Sequence, residues 1–166
     1  MKQTHMMYAL VTGIIMIILG VILYMAGVAF KPGMQYVSDI PFLIGIIMNG
    51  MAFSKANDGF VTFGNVFSSC FKASAIITLM SLVWAFIALM IFPEMVDKGM
   101  EIAQQKMAEQ GMSGEKMDQA MEMTKKYFKV FMIGGIVFGM MFYGLIFSLI
   151  SAAIAKKKGP NPNMGM

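Results

Sequence analysis

The chain has 166 residues, 58% of them hydrophobic and only 13% charged, with a net charge of +4. A soluble domain carries charge at about a quarter of its positions, so water is the wrong solvent for this one, and much of its apolar surface must face lipid. All 13 basic residues are lysine, which removes the guanidinium fork that dominates phosphate and base recognition and argues against a nucleic-acid partner. The single Cys70 allows no intramolecular disulfide or thiolate cluster, and His5, the sole histidine, allows neither a zinc site nor a histidine triad within one chain.

Residues 6–30 are 25 in number without a charge, more than the roughly 30 Å of a bilayer core requires of a helix. This is the first predicted span. A secretory signal is the rival reading, with Gly27-Val28-Ala29 as a cleavage site, but its apolar region would be too long. Lys31-Pro32-Gly33 ends the helix, and Ser38 or Asp39 followed by Pro41 reads as the cap and first turn of the next. The second span, 36–54, is short. Its strictly uncharged part, Ile40 to Ser54, is 15 residues, so a tilted or re-entrant helix stands as the alternative.

Asn57-Asp58-Gly59 is a turn, after which Phe60, Phe63, Phe67 and Phe71 recur at helical spacing with Thr62 as a possible cap. The pattern predicts an interfacial helix over 60–71 that runs into a third span over 72–92, or an early start of that span. Beyond Pro93, residues 94–129 hold seven acids and six lysines. Val96, Met100, Ala103 and Met107, then Met117, Met121, Thr124 and Phe128, each form one apolar stripe on either side of a Gly-Met-Ser-Gly turn. An amphipathic hairpin follows, whose helices would project roughly 24 Å if they prolong the spans on either side. The fourth span is 130–155, closed by Lys156-Lys157-Lys158 and a tail, 159–166, expected to be flexible.

The positive-inside rule sets six lysines at the ends and central loop against seven in Lys31 plus the hairpin. The triple lysine abutting a span inclines the reading toward cytoplasmic termini. Small residues stand in rows: Gly13, Gly20 and Gly27 on the first span, Ser74, Thr78, Ser81, Ala85 and Ala88 on the third, and Gly135, Gly139, Gly144, Ser148 and Ala152 on the fourth. Such rows let helices approach closely where no hydrophobic drive separates helix from lipid. Gly135-x-x-x-Gly139 suits packing within the chain or self-association. Asn49, the most polar side chain inside a span, suits an interhelical hydrogen bond, with a substrate contact as the sharper alternative. An ion-driven transporter usually keeps an ionisable group near mid-membrane despite a cost of about 3 kcal/mol, and the spans offer none. Met117, Met121 and Met123 would suit copper(I), but methionine is spread over the entire chain, as gap-filling predicts, so no cofactor is expected.

The run Asn57-Asp58-Gly59-Phe60-Val61-Thr62-Phe63-Gly64 with Phe67, the hairpin segments Met107-Ala108-Glu109-Gln110-Gly111-Met112-Ser113 and Gln119-Ala120-Met121-Glu122, and the close Ala152-Ala153-Ile154-Ala155-Lys156-Lys157-Lys158 carry a resemblance. Over nearly its whole length the chain resembles an uncharacterised group of small bacterial four-helix membrane proteins, domain of unknown function 4199. The resemblance implies a four-span architecture in a bacterial cytoplasmic membrane and brings no site residues with it.

The expectation is therefore an all-α integral membrane four-helix bundle with an amphipathic hairpin between its third and fourth spans. A non-enzymatic accessory or assembly subunit is the expected role, with partners in the lipid bilayer, in a second copy or in another membrane protein. Docking would run through the hairpin methionines Met100, Met107, Met117 and Met121, through the glycine rows, or both. The alternative is a small oligomeric channel or carrier, which needs a polar lining or a hydrophobic gate. A lipid-acting enzyme would need acids or a histidine grouped at one interface, and only the hairpin's acids come close.

Overall fold

The computed structural model describes residues 1–159, the side chain of Gln35 excepted. All but Gly159 of the tail expected to be flexible lies outside the described residues. Among the described residues five helices follow in order: α1 His5–Met25, α2 Gln35–Ala56, α3 Phe63–Ile91, α4 Glu94–Glu109 and α5 Glu115–Ile154. No strand occurs among them. Of the five, α1, α2, α3 and α5 are long and apolar enough to cross a membrane. The chain divides into two compact units, one of Met1–Ser81 with the segment from Phe138 onward, the other Leu82–Val137.

Two boundaries differ from those read in the sequence, and a third, left open there between an interfacial helix and an early start of the span, falls on the early start. The first helix stops at Met25 rather than Phe30, because Gly27 takes a left-handed φ of 69°. Its N–H donates to Tyr24 O at 2.9 Å and Val28 N–H to Leu23 O at 3.0 Å, so the glycine closes the helix end, and among the described residues nothing stands within 4 Å of where its Cβ would be. The second helix begins at Gln35 and includes Pro41 rather than starting on it. At 22 residues it is about 33 Å long, which is enough to span hydrocarbon. The third begins at Phe63 and is continuous for 29 residues, so the aromatic stretch before Lys72 belongs to the same helix as the span.

Thr62 caps α3. Its hydroxyl accepts from Asn65 N–H at 3.3 Å, while the Asn65 side-chain oxygen accepts from Thr62 N–H at 3.0 Å and from the Thr62 hydroxyl at 2.8 Å. This is a reciprocal capping box with asparagine in the third position.

In the first unit, inward residues recur at helical spacing: Phe42, Ile46, Asn49 and Phe53 on α2, and Val66, Cys70, Ala73 and Ile77 on α3, all buried. Phe42 and Phe147 meet edge to face, ring centroids 5.3 Å apart. Outward residues such as Leu10, Ile14, Ile18, Ile44, Met48, Leu79 and Leu149 are large, apolar and exposed, the distribution that suits a lipid solvent. Glycines mark the closest approaches. Gly45 stands where a methyl would overlap the Thr12 side chain, Gly144 lies against Ser74, and Gly13 against Met80.

In the second unit, α4 and the first part of α5 form the hairpin. α4 closes as α1 does, with Gly111 at φ 82° and Met112 N–H donating to Met107 O at 3.0 Å. Every residue of the two predicted stripes is half-buried and α4 has none fully buried, as expected where two helices shield only each other. Gly99 makes the contact tight, since a Cβ there would stand 3.3 Å from the Phe128 ring.

Candidate functional site

Two features of the first unit carry chemistry. The first is a polar network inside the bundle, which begins with a displaced cap. Thr4 precedes α1 but makes no side-chain capping bond; its hydroxyl donates instead to Asn49 Oδ1 at 2.7 Å. The Asn49 amide donates to Ser69 Oγ at 3.2 Å and toward Cys70 Sγ at 3.7 Å. Cys70 lies 3.3 Å from Ser151 Oγ, and Ser151 donates to the Ile46 carbonyl at 3.0 Å. Read as one directed chain, Asn49 donates to Cys70, Cys70 to Ser151 and Ser151 to Ile46, which joins α2, α3 and α5. Asn49, Cys70 and Ser151 are fully buried. A buried polar group left unpaired is costly, so mutual satisfaction is what lets these residues stand inside the bundle.

Gly50 makes the network possible. A Cβ there would strike the Ser151 hydroxyl and stand 3.1 Å from Cys70 Sγ and 3.2 Å from Val66. Ser74 and Thr78 turn their hydroxyls back to the carbonyls four residues earlier, at 3.1 and 2.9 Å. Ser148 is the exception: its Oγ is buried with no hydrogen-bond partner among the described residues.

The second feature is a recess at the end of the unit where the N-terminal segment, the α2–α3 turn and the chain leaving α5 meet. Lys2 N–H donates to Asn57 Oδ1 at 2.9 Å and the Asn57 amide to Lys2 O at 3.2 Å. Lys158 N–H donates to Gly59 O at 2.7 Å, and the Ser54 hydroxyl to Lys156 O. Lys157 folds onto the end of α5, its ammonium 2.6 Å from Ala152 O and 2.8 Å from Ala155 O, where the helix dipole favours a cation. The recess, about 720 Å³, is lined by Tyr8, Met48, Met51, Ala52 and Ile154 on its apolar side and by Ser54, Lys55, Asp58, Gly59, Lys156 and Lys158 at its rim.

Asn49 stands at the centre of the interhelical network, as its polarity within a span suggests. Gly13 lies at a helix contact, while Gly20, Gly27, Gly135 and Gly139 have open space where a Cβ would be. Met100, Met107, Met117 and Met121 are half-buried along the hairpin seam, and Met112 and Met123 are exposed. Thr4, Gly45, Gly50, Ser69 and Ser151 are not singled out by sequence, and Cys70 only for disulfide and metal chemistry, although Gly45, Asn49 and Gly50 fall within two turns of one helix, and that clustering is the available signal. Among the described residues no group of three or more His, Cys, Asp or Glu side chains is placed to hold a metal.

No curated protein and no solved structure matches this chain. A family model described as protein of unknown function (DUF4199) matches residues 7–157. That match takes in all four apolar helices, the hairpin, the interior network from Asn49 to Ser151 and most of the recess, and on it the chain belongs to the DUF4199 family of unknown function.

Proposed function

We propose that this chain is a non-enzymatic accessory or assembly subunit of a membrane complex, one that packs against another membrane protein through the open glycines of α5. The observation that supports this reading is a contrast between two sets of glycines. Gly13, Gly45, Gly50 and Gly144 are each met closely by a side chain of another helix, whereas among the described residues nothing lies within 4 Å of the point where a methyl on Gly135 or Gly139 would stand. A glycine inside a helix costs about 0.5–1 kcal/mol relative to alanine. The first set returns that cost as close helix contact. The second has no such return within this chain, and its spacing is that of helices that pair closely in lipid. Phe138 and Phe142 beside them are 80% and 62% exposed, an aromatic flank for a second helix.

The interior supports a packed role over a conducting one, since its polar groups, Ser148 apart, are taken up by one another or by helix carbonyls rather than turned to a water-filled path. The hairpin, with mixed charge outside and Met123 59% exposed, offers a second contact surface. Among the described residues, Lys2, Lys55, Lys156, Lys157 and Lys158 stand against the single acid Asp58 where the N-terminal segment and the chain leaving α5 meet the α2–α3 turn, and by the positive-inside rule that end belongs in the cytoplasm of a bacterial cell.

Mild crosslinking in native membranes, followed by affinity purification and mass spectrometry, tests the reading. A stoichiometric membrane partner, or a second copy, is expected with the wild-type chain and is lost from Gly135→Leu/Gly139→Leu. Recovery of a monomer alone, or a partner retained by both this variant and one with Met95–Lys125 replaced by a Gly-Ser linker, refutes it.

A further inference from the structure

The recess beside the chain leaving α5 combines features that no interior packing role requires. Its apolar side faces outward: Met48, Met51 and Ile154 are 50%, 57% and 56% exposed, and they stand within the last turns of α2 and α5. Its rim begins where the uncharged stretches of both helices end, at Lys55 and Lys156. Hydrocarbon contact thus gives way within one cavity to ammonium groups, the order met on passing from acyl chains to headgroups.

The rim is also held in place. Lys156 and Lys158 follow the end of α5, but their backbones are hydrogen-bonded to Ser54 and Gly59 of the α2–α3 connection. The Lys158 stem packs over Gly59, so close that a methyl there would be 3.2 Å from it, and its ammonium sits 5.3 Å from the Phe60 ring centre. Lys157 is engaged with the α5 carbonyls and stays out of the cavity. No ion pair engages Lys55, Lys156 or Lys158 among the described residues, and Asp58 is the one acid in the lining. Three cations are therefore gathered around one cavity against a single carboxylate, which leaves the rim net positive.

We propose that this recess is a binding site for an anionic phospholipid, with acyl chain against Met48, Met51 and Ile154 and headgroup phosphate among Lys55, Lys156 and Lys158. A soluble anion has no use for the apolar side, and a zwitterionic lipid gains little from three lysines. The inference goes beyond the accessory role and holds whether or not the chain has a protein partner.

The full chain is reconstituted in vesicles of equal parts phosphatidylcholine and phosphatidylglycerol, and the lipids it retains are read by native mass spectrometry. Preferential retention of phosphatidylglycerol is expected. A lysine near an anionic surface contributes roughly a fivefold preference, so Lys55→Gln/Lys156→Gln/Lys158→Gln lowers the retention ratio at least about tenfold even with strong screening. The charge-matched hairpin variant Lys125→Gln/Lys126→Gln/Lys129→Gln keeps the wild-type ratio, and Lys55→Arg/Lys156→Arg/Lys158→Arg keeps most of it. The proposal is overturned if the wild type shows no headgroup preference, if the recess and hairpin variants fall equally, or if inorganic phosphate alone displaces the lipid.

Discussion

Replacing Gly50 by alanine sets a methyl against three side chains from two other helices: Ser151, Cys70 at 3.1 Å and Val66 at 3.2 Å. Ser151 is nearest and must turn away, which breaks its bond to Ile46 O and its contact with Cys70. Interhelical hydrogen bonds in membranes average about 0.6 kcal/mol each, and an extra methyl in a packed core costs about 1–3 kcal/mol. Alanine's better helix propensity returns about 0.5–1 kcal/mol. A net loss on the order of 2 kcal/mol results, read as a fall of roughly 4–8 °C in the midpoint of thermal unfolding of the detergent-solubilised chain. The double variant Gly50→Ala/Ser151→Ala removes the hydroxyl that the methyl strikes, so the two changes should couple, with the pair less destabilising than their sum. Gly139→Ala, made where nothing approaches, should leave the midpoint unchanged or raise it. Equal effects at Gly50 and Gly139, or additivity at Gly50 and Ser151 within about 0.5 kcal/mol, would refute the idea that Gly50 sets the helix approach.

Ser148→Ala should be neutral or stabilising, because its buried hydroxyl has no partner among the described residues, whereas Ser151→Ala should lower the unfolding midpoint. Asn49→Leu leaves Thr4 and Ser69 without their bonds and should destabilise by about 1–2 kcal/mol; unchanged thermal stability would mean that the network contributes nothing. Removing the α3 cap with Thr62→Ala should cost about 1 kcal/mol, rescued in part by Thr62→Ser. In the hairpin, Gly99→Val drives a side chain into the Phe128 ring, and circular dichroism of the whole chain should show a lower-temperature loss of helix that Gly134→Val, placed in open space, does not produce.

The hairpin was the most legible part of the sequence. Its stripes from Val96 to Met107 and from Met117 to Phe128 contrast apolar with charged residues, so periodicity alone identifies the inner face. The spans offer no such contrast. Lipid and bundle interior are both apolar, and Ile44 on the outside of α2 reads like Ile46 on the inside. Small residues were the remaining signal, and the motif alone does not say where a contact falls: Gly135 and Gly139 match a known pairing pattern and meet nothing among the described residues, while Gly45 stands in no such pattern and is met by Thr12. Cys70 was read for redox and metal chemistry, in which a lone thiol counts for little, although its small, weakly polar sulfur is what suits it to a crowded crossing. The recess was invisible because its rim comes from positions about 100 residues apart, Lys55 and Lys156, which only the fold brings together.

The order in which the network's members are synthesised has a consequence for assembly. Ile46 and Asn49 enter the membrane with α2 and Cys70 with α3, but Ser151 follows Ile46 by 105 residues and Cys70 by 81. The Asn49 amide finds Thr4, Ser69 and Cys70 before α5 is made, but until α5 inserts the Cys70 thiol lacks Ser151, and the groove around Gly50 stands open to lipid. A nascent chain stalled before Ser151 thus presents an unfilled groove beside Gly50 and a thiol without its Ser151 contact, a mark by which a membrane protease or chaperone would tell an unfinished copy from a finished one.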